Sequence, residues 1–159
     1  MRQELAQLGN GAHALAIQIL GNVDDAADAV HDSFARVLSR PDAFDENKGP
    51  LKPWFYRVVR NRCLDMIRRR RPNSDAIDEI VDASPSPEAK VEAQQRTARI
   101  SAALARLPRD KREVIVLRDY LDLSYAEIAD VLAIAPGTVM SRIHRARLEL
   151  KEVLGSYEE

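Results

Sequence analysis

Cysteine is nearly absent from this chain: Cys63 is the single one in 159 residues. An internal disulfide is therefore impossible, and no Cys/His grouping has metal-ligand spacing, so disulfide scaffolds and zinc folds are set aside and no metal is expected. Aromatic residues make up only 5% and there are only six glycines, which disfavours the strand-rich, turn-dense folds. No apolar run is long enough to span a bilayer. The N-terminus also lacks a basic stretch leading into an apolar core and a small-residue cleavage site. The expectation is a cytoplasmic protein without membrane insertion. No nucleophile–base pair, phosphate-cradling glycine loop or carboxylate dyad is present either, so neither an enzyme nor a cofactor is expected.

What the chain does have is helix-forming residues and charge. Hydrophobic residues reach 45%, enough to bury cores, and Ala, Leu, Arg and the acids dominate. The formal net charge is −1, but the charge is segregated. Arg57 to Arg71 holds seven arginines against Asp65 alone, whereas Asp75 to Glu92 holds six acids against Lys90. Arg142 to Lys151 is basic again. Two basic patches flank an acidic one, a pattern that speaks of partners rather than of fold.

Apolar spacing divides the chain into helices. One is expected from Leu5 to Leu20, broken by Gly21-Asn22. A second, with acids Asp24 and Asp25 at its positive end, carries the stripe Ala27, Val30, Phe34, Val37 and Leu38 up to Arg40-Pro41. A loop with Gly49, Pro50 and Pro53 precedes a third helix from about Trp54 to Arg71. Its apolar side is Phe55, Val59, Cys63, Met66 and Ile67, which makes Cys63 inert core. Arg57, Arg60, Asn61, Arg68 and Arg71 run along another side. Pro72 to Pro87 reads as a flexible acidic tether. Further helices are expected over 88–107, 110–121, 124–132 and 136–154. The fold class is all-α: two small helical domains, 1–72 and 96–159, joined by a linker at 73–95.

Within the second domain, Ser124 with Glu127 forms a capping box before an apolar run. A short turn at Ala133 to Ala135 precedes Pro136, suited to the first position of a helix. The second helix of this pair buries Val139, Ile143 and Ala146 and presents Thr138, Met140, Ser141, Arg142, His144 and Arg145. That is a helix-turn-helix whose second helix fits the DNA major groove, with Arg145 and Arg147 suited to phosphates. The plainer reading is an amphipathic hairpin with a solvated basic face. In the first domain, Trp54, Phe55 and Tyr56 directly precede the arginine stripe, and rings beside a cationic track suit single-stranded DNA. Phe55 belongs to the core, while Trp54 and Tyr56 fit either core or strand. Asp65 reads as an ion-pair partner for Arg62, Arg68 or Arg69.

Three segments then resemble one family. GNVDDAADAVHDSFARVL (Gly21 to Leu38), KPWFYRVVRNRCLDMIRRRRP (Lys52 to Pro72) and LPRDKREVIVLRDYLDLSYAEIADVLAIAPGTVMSRIHRARLEL (Leu107 to Leu150) follow the order of group IV, or extracytoplasmic-function, sigma factors. These are bacterial transcription-initiation factors with only a sigma-2-like and a sigma-4-like domain. The resemblance implies a polymerase-docking helix with Asp25, Asp28, His31, Asp32 and Phe34. It implies capture of a flipped base of the −10 promoter element by the loop from Phe44 to Trp54. The melted strand would be lined by Lys48, Lys52, Trp54, Tyr56, Arg57, Arg60 and Asn61, with phosphate contacts from Arg68, Arg69 and Arg71. The −35 element would meet Arg118, Thr138, Ser141, Arg142, His144, Arg145 and Arg147. Implied partners are core RNA polymerase, promoter DNA and an anti-sigma factor. The chain departs from the family at Ala27, His31, Ala135 and Met140, where Glu, Gln, Ser and a basic residue are usual. A stand-alone helix-turn-helix regulator and a sigma mimic are the alternatives. The first leaves the N-terminal domain unexplained, and the second has no need of DNA-facing arginines. The sigma reading requires two basic surfaces on separate rigid bodies.

Overall fold

The computed structural model describes residues 1–70 and 91–156. The expected tether, its proposed boundaries and Arg71 lie wholly or mostly outside the described residues. All regular structure among the described residues is helical. The elements are α1 (Arg2–Gln7), α2 (Gly9–Leu20), α3 (Val23–Ser39), α4 (Leu51–Arg70), α5 (Val91–Ala105), α6 (Arg109–Ile115), α7 (Tyr125–Leu132) and α8 (Pro136–Ser156). Short 3-10 turns at Pro41–Ala43 and Glu46–Lys48 shape the connection between α3 and α4.

Local chemistry explains most of the boundaries. The first helix, expected to be continuous, is split at Leu8, whose N–H donates to Leu5 O instead of continuing the α-helical ladder. α2 ends at Gly21, whose φ of 70° closes a left-handed C-cap with its N–H on Ile17 O; glycine adopts that conformation without steric cost. Asn22 then caps α3 by accepting from the Asp25 N–H at 3.0 Å. α4 begins at Leu51, three residues before the expected start. Pro53 falls in its first turn, where a missing N–H costs nothing. α6 runs on through a π turn at Val116–Tyr120, where the Leu121 N–H reaches Val116 O.

The buried stripe of α3 differs from the expected one. Ala26, Ala29, Val30, Ser33 and Val37 face inward, while Ala27 and Leu38 are exposed. The displacement is tolerated because Ser33 satisfies its hydroxyl on Ala29 O at 2.7 Å, so a polar residue sits in the core without an unmet hydrogen bond. The same core holds Leu15, Ile19, Phe55, Val59 and Cys63, with the Phe34 and Phe55 rings 4.8 Å apart. In the C-terminal half, Leu107, Val114, Leu117, Leu123, Ile128, Val139 and Ile143 form the core.

The two halves do not stand apart. One buried cluster runs through both: α2 lies against α6, and α4 against α7. The two helical halves are those expected, and in this structure they pack against one another rather than standing apart. Tyr56 of α4 and Leu121 of the C-terminal half are both buried and both approach Gly11 of α2, so apolar surface of each half loses water in the contact.

Candidate nucleic-acid interfaces

The helix-turn-helix forms as the sequence predicts. Ser124 Oγ accepts from the Glu127 N–H at 3.1 Å and Glu127 Oε1 accepts from the Ser124 N–H at 2.9 Å, completing the capping box. Ala133 turns the chain with φ 56°, a strained choice for a residue with a Cβ, and Pro136 opens α8. Ile128, Ala129, Val131 and Leu132 of α7 bury against Val139, Ile143 and Ala146 of α8. Thr138, Met140, Ser141, His144 and Arg145 are left exposed, and Arg142 half-buried. Met140 is 58% exposed, an apolar side chain on an otherwise polar face.

Two residues expected on this surface are engaged internally. Arg118 stacks over the Tyr125 ring at 4.8 Å and donates to Leu123 O at 2.8 Å. Arg147 donates to Asp119, with Nε at 3.2 Å, an interaction that raises its pKa above the ordinary arginine value. Both side chains thus bridge elements of the helix-turn-helix, and Arg147 remains exposed.

The face of α4 is likewise divided. Arg57, Asn61, Arg68 and Arg69 are exposed, as is Lys48 in the preceding loop. Arg68 pairs loosely with Asp65 at 3.8 Å, as the spacing suggests, whereas Arg62 pairs with Asp32 of α3 at 3.0 Å. The remaining candidates turn toward the other half. Arg60 Nε donates to Glu113 Oε2 at 2.9 Å, and Lys52 Nζ donates to Leu121 O at 2.9 Å. Tyr56 is only 2% exposed, and burial, with Tyr120 adding to it, raises its phenol pKa. In this arrangement Lys52, Tyr56 and Arg60 are therefore not on a free surface. Trp54 is half-buried with its ring 5.0 Å from Phe44.

Beside that ring pair lies an open recess of 730 Å³ whose walls include Glu4, Asp42, Phe44, Asp45, Glu46 and Leu51. Its acids repel phosphate but can accept hydrogen bonds from the exocyclic amine of a base. On α3, Asp28 and His31 are exposed, Asp25 pairs with Arg70 at 2.6 Å, and Phe34 belongs to the core contact with Phe55. Cys63 is fully buried and its thiol is pushed up to about 12, first by burial and then by the Glu113 charge. No grouping of three metal-ligating side chains occurs among the described residues, and none of their helices is long and apolar enough to cross a membrane.

Sequence inspection overlooked Gly11, Arg112, Glu113 and Leu121, which build the contact between the halves. A signal existed for two of them: Arg112 and Glu113 sit as adjacent charges at the head of the apolar run Val114 to Leu117, and both are buried. Charges there demand partners.

Comparison with known proteins gives matches over nearly the whole chain. Residues 5–72 match the family model "Sigma-70 region 2", and residues 97–150 match "Sigma-70, region 4". The chain is 35% identical over 156 residues to the ECF RNA polymerase sigma factor SigE of Mycolicibacterium smegmatis, covering 95% of this chain and 60% of that protein. It is 34% identical over 154 residues to the ECF RNA polymerase sigma factor SigW of Bacillus subtilis, covering 89% of this chain and 82% of that one. The solved structure of the sigma factor RpoE in complex with the anti-sigma factor NepR, from Bartonella quintana, superposes with a TM-score of 0.77 at 28% identity. It covers 97% of this chain and 96% of that one.

Proposed function

Because this chain belongs to the extracytoplasmic-function sigma factors of the sigma-70 family, we propose that it joins core RNA polymerase as a dissociable subunit and selects promoters for transcription initiation. The observation that carries this reading is α8. Its first three turns present Thr138, Ser141 and Arg145 to solvent on a helix packed against the capped α7. A rigid helix with short polar side chains and a cation near its start is what the major groove of duplex DNA accepts. We assign that face to the −35 element. Residues 1–72 then form the unit that holds the −10 strand, residues 73–95 the connection, and residues 96–159 the duplex-reading unit.

In the first unit, Arg57, Asn61, Arg68 and Arg69 supply cations and donors for the backbone of the melted strand, with Trp54 beside the acid-lined recess for an unstacked base. Unstacking a base costs roughly a few kcal/mol, which contacts inside such a recess offset. Asp28, His31 and Asp32 on α3 offer an acidic docking face for polymerase, a surface unsuited to DNA. The partners are core polymerase, promoter DNA and, by likeness to the RpoE–NepR complex, an anti-sigma factor. The protein works in the cytoplasm and supplies specificity rather than catalysis; the polymerase forms the bonds. A stand-alone regulator or a sigma mimic is not favoured, because both halves match sigma regions and α4 exposes Arg57, Arg68 and Arg69.

The test is transcription in vitro from a pool of promoter fragments, using core enzyme with and without the purified chain, followed by sequencing of the transcript starts. Starts that share upstream elements and require the chain support the reading. Duplex binding without core enzyme and no chain-dependent transcript would overturn it.

A further inference from the structure

We propose that Met140 selects a thymine in the duplex by contact with its C5-methyl group, a role that rests on the assignment of α8 to the −35 element. α8 begins at Pro136, so Met140 opens its second turn. That is the N-terminal part from which a recognition helix reaches base edges. Val139, Ile143 and Ala146 set the buried side of the helix. At about 100° per residue, Ser141 then points away from the core, with Arg145 to one side of it and Met140 to the other. Thr138, Ser141, His144 and Arg145 on this surface all carry hydrogen-bonding groups. Met140 carries an apolar chain and is 58% exposed.

Single apolar side chains on a surface are common and need no explanation by themselves. Leu148 is of that kind: it is 51% exposed but lies about 18 Å along the helix from Pro136, beyond the part that reads bases. Met140 differs in its surroundings. Helical side chains lean toward the helix N-terminus, which directs Met140 toward the turn holding Gly137. A Cβ built at Gly137 would meet nothing within 4 Å, so no atom of the Met140 side chain folds back onto that turn and the space beside it is open. Gly137 also lowers helix propensity, and no close approach inside the chain requires it. A surface arriving from outside accounts for both positions.

The major groove supplies a matching group. The thymine methyl is the apolar feature of a base edge there, whereas cytosine presents an amine donor. A flexible, polarizable thioether adapts its shape to a methyl group, and the bare backbone at Gly137 admits the base edge next to it. Opposite cytosine, the same side chain would cover the amine while offering only a weak acceptor, and a donor that loses water without a partner is penalised. Met140 therefore discriminates thymine from cytosine by apolar contact, while Ser141 and Arg145 act through hydrogen bonds.

The test uses core RNA polymerase carrying the full chain to select duplexes from a library randomised over the upstream element. In the selected duplex each thymine is replaced in turn by deoxyuridine, which removes the methyl and keeps every hydrogen-bonding group. Fluorescence anisotropy should show affinity falling about fourfold at one position, the effect of one buried methyl. In Met140→Ala, and in Met140→Gln, which keeps the length but makes the tip polar, deoxyuridine at that position should have no effect. Penalties at other thymines should be unchanged. Circular dichroism should find both variants folded, since Met140 lies outside the apolar core. A parent insensitive to deoxyuridine at every thymine would overturn the proposal. So would a penalty that persists in either variant, as it must if Met140 serves a protein contact instead. Failure of the sigma assignment is distinguishable: no duplex would then be enriched over core enzyme alone, and the role of Met140 would fall with it before any base analogue is used.

Discussion

Arg60 and Glu113, 53 positions apart in sequence, meet at 2.9 Å in a largely buried ion pair. The arginine comes from a helix expected to face DNA, and the acid from α6 in the C-terminal half. In a low-dielectric contact such a pair contributes little net stability, since desolvation of both charges offsets their attraction. Its consequence is selectivity: the surface of α4 is divided between groups free to meet a strand and groups already engaged.

Ser124→Ala should remove the Oγ acceptor from the Glu127 N–H and leave the other arm of the capping box without its counterpart. The expected cost is about 1 kcal/mol, or a fall in Tm of roughly 2–4 °C for a chain of this size. Urea denaturation followed by circular dichroism measures it, and an unchanged midpoint would show that the cap carries no stability.

Arg145→Ala leaves the core untouched, because the side chain is exposed on α8. Affinity for duplex carrying the −35 element should drop, and the dependence of log affinity on log salt should flatten by about one unit. Binding to core polymerase should stay the same. Equal losses in both assays would contradict the assignment of this face to DNA.

Asp28→Arg reverses a charge on the exposed side of α3. Affinity for core polymerase should fall while −35 duplex binding persists, as measured by fluorescence titration with labelled core enzyme. Unchanged affinity would remove α3 as the docking surface.

Cys63 predicts a pH response. Its thiol ionises near 9 when unfolded but near 12 when buried, so between those values the unfolded chain has lost a proton that the native chain retains. Stability is thus fully present below about pH 9 and declines as pH rises toward 12. Cys63→Ser removes this dependence but places a hydroxyl in an apolar site. Cys63→Ala is therefore the cleaner probe: its stability should fall less steeply over that interval. In the native parent at neutral pH, the thiol should resist maleimide until denaturant is added.

Much of this was legible beforehand. The 3.6-residue period of Phe55, Val59 and Cys63, or of Val139, Ile143 and Ala146, is local and survives in the fold because each stripe needs one buried side. The capping box is equally local: Ser124 and Glu127 serve each other's backbone N–H whatever lies around them. The α3 stripe holds at Val30, Phe34 and Val37 but not at Ala27 and Leu38, because alanine gives a weak apolar signal and Ser33 hides its polarity in a bond to its own helix. The expectation that Arg118 and Arg147 meet DNA could not include the Tyr125 ring under Arg118 or the Asp119 partner of Arg147, because a cation looks the same in sequence whatever it faces.

The sequence by itself determined the helices, the turn between α7 and α8, and the segregation of charge, since each depends on residues within a few positions of one another. Only the tertiary structure decided which arginines face water. Partners such as Arg60 with Glu113 and Arg112 with Gln18 are 53 and 94 positions apart. No helical period relates them, and they meet only because Tyr56, Leu121 and the bare backbone at Gly11 let the two halves approach within contact distance.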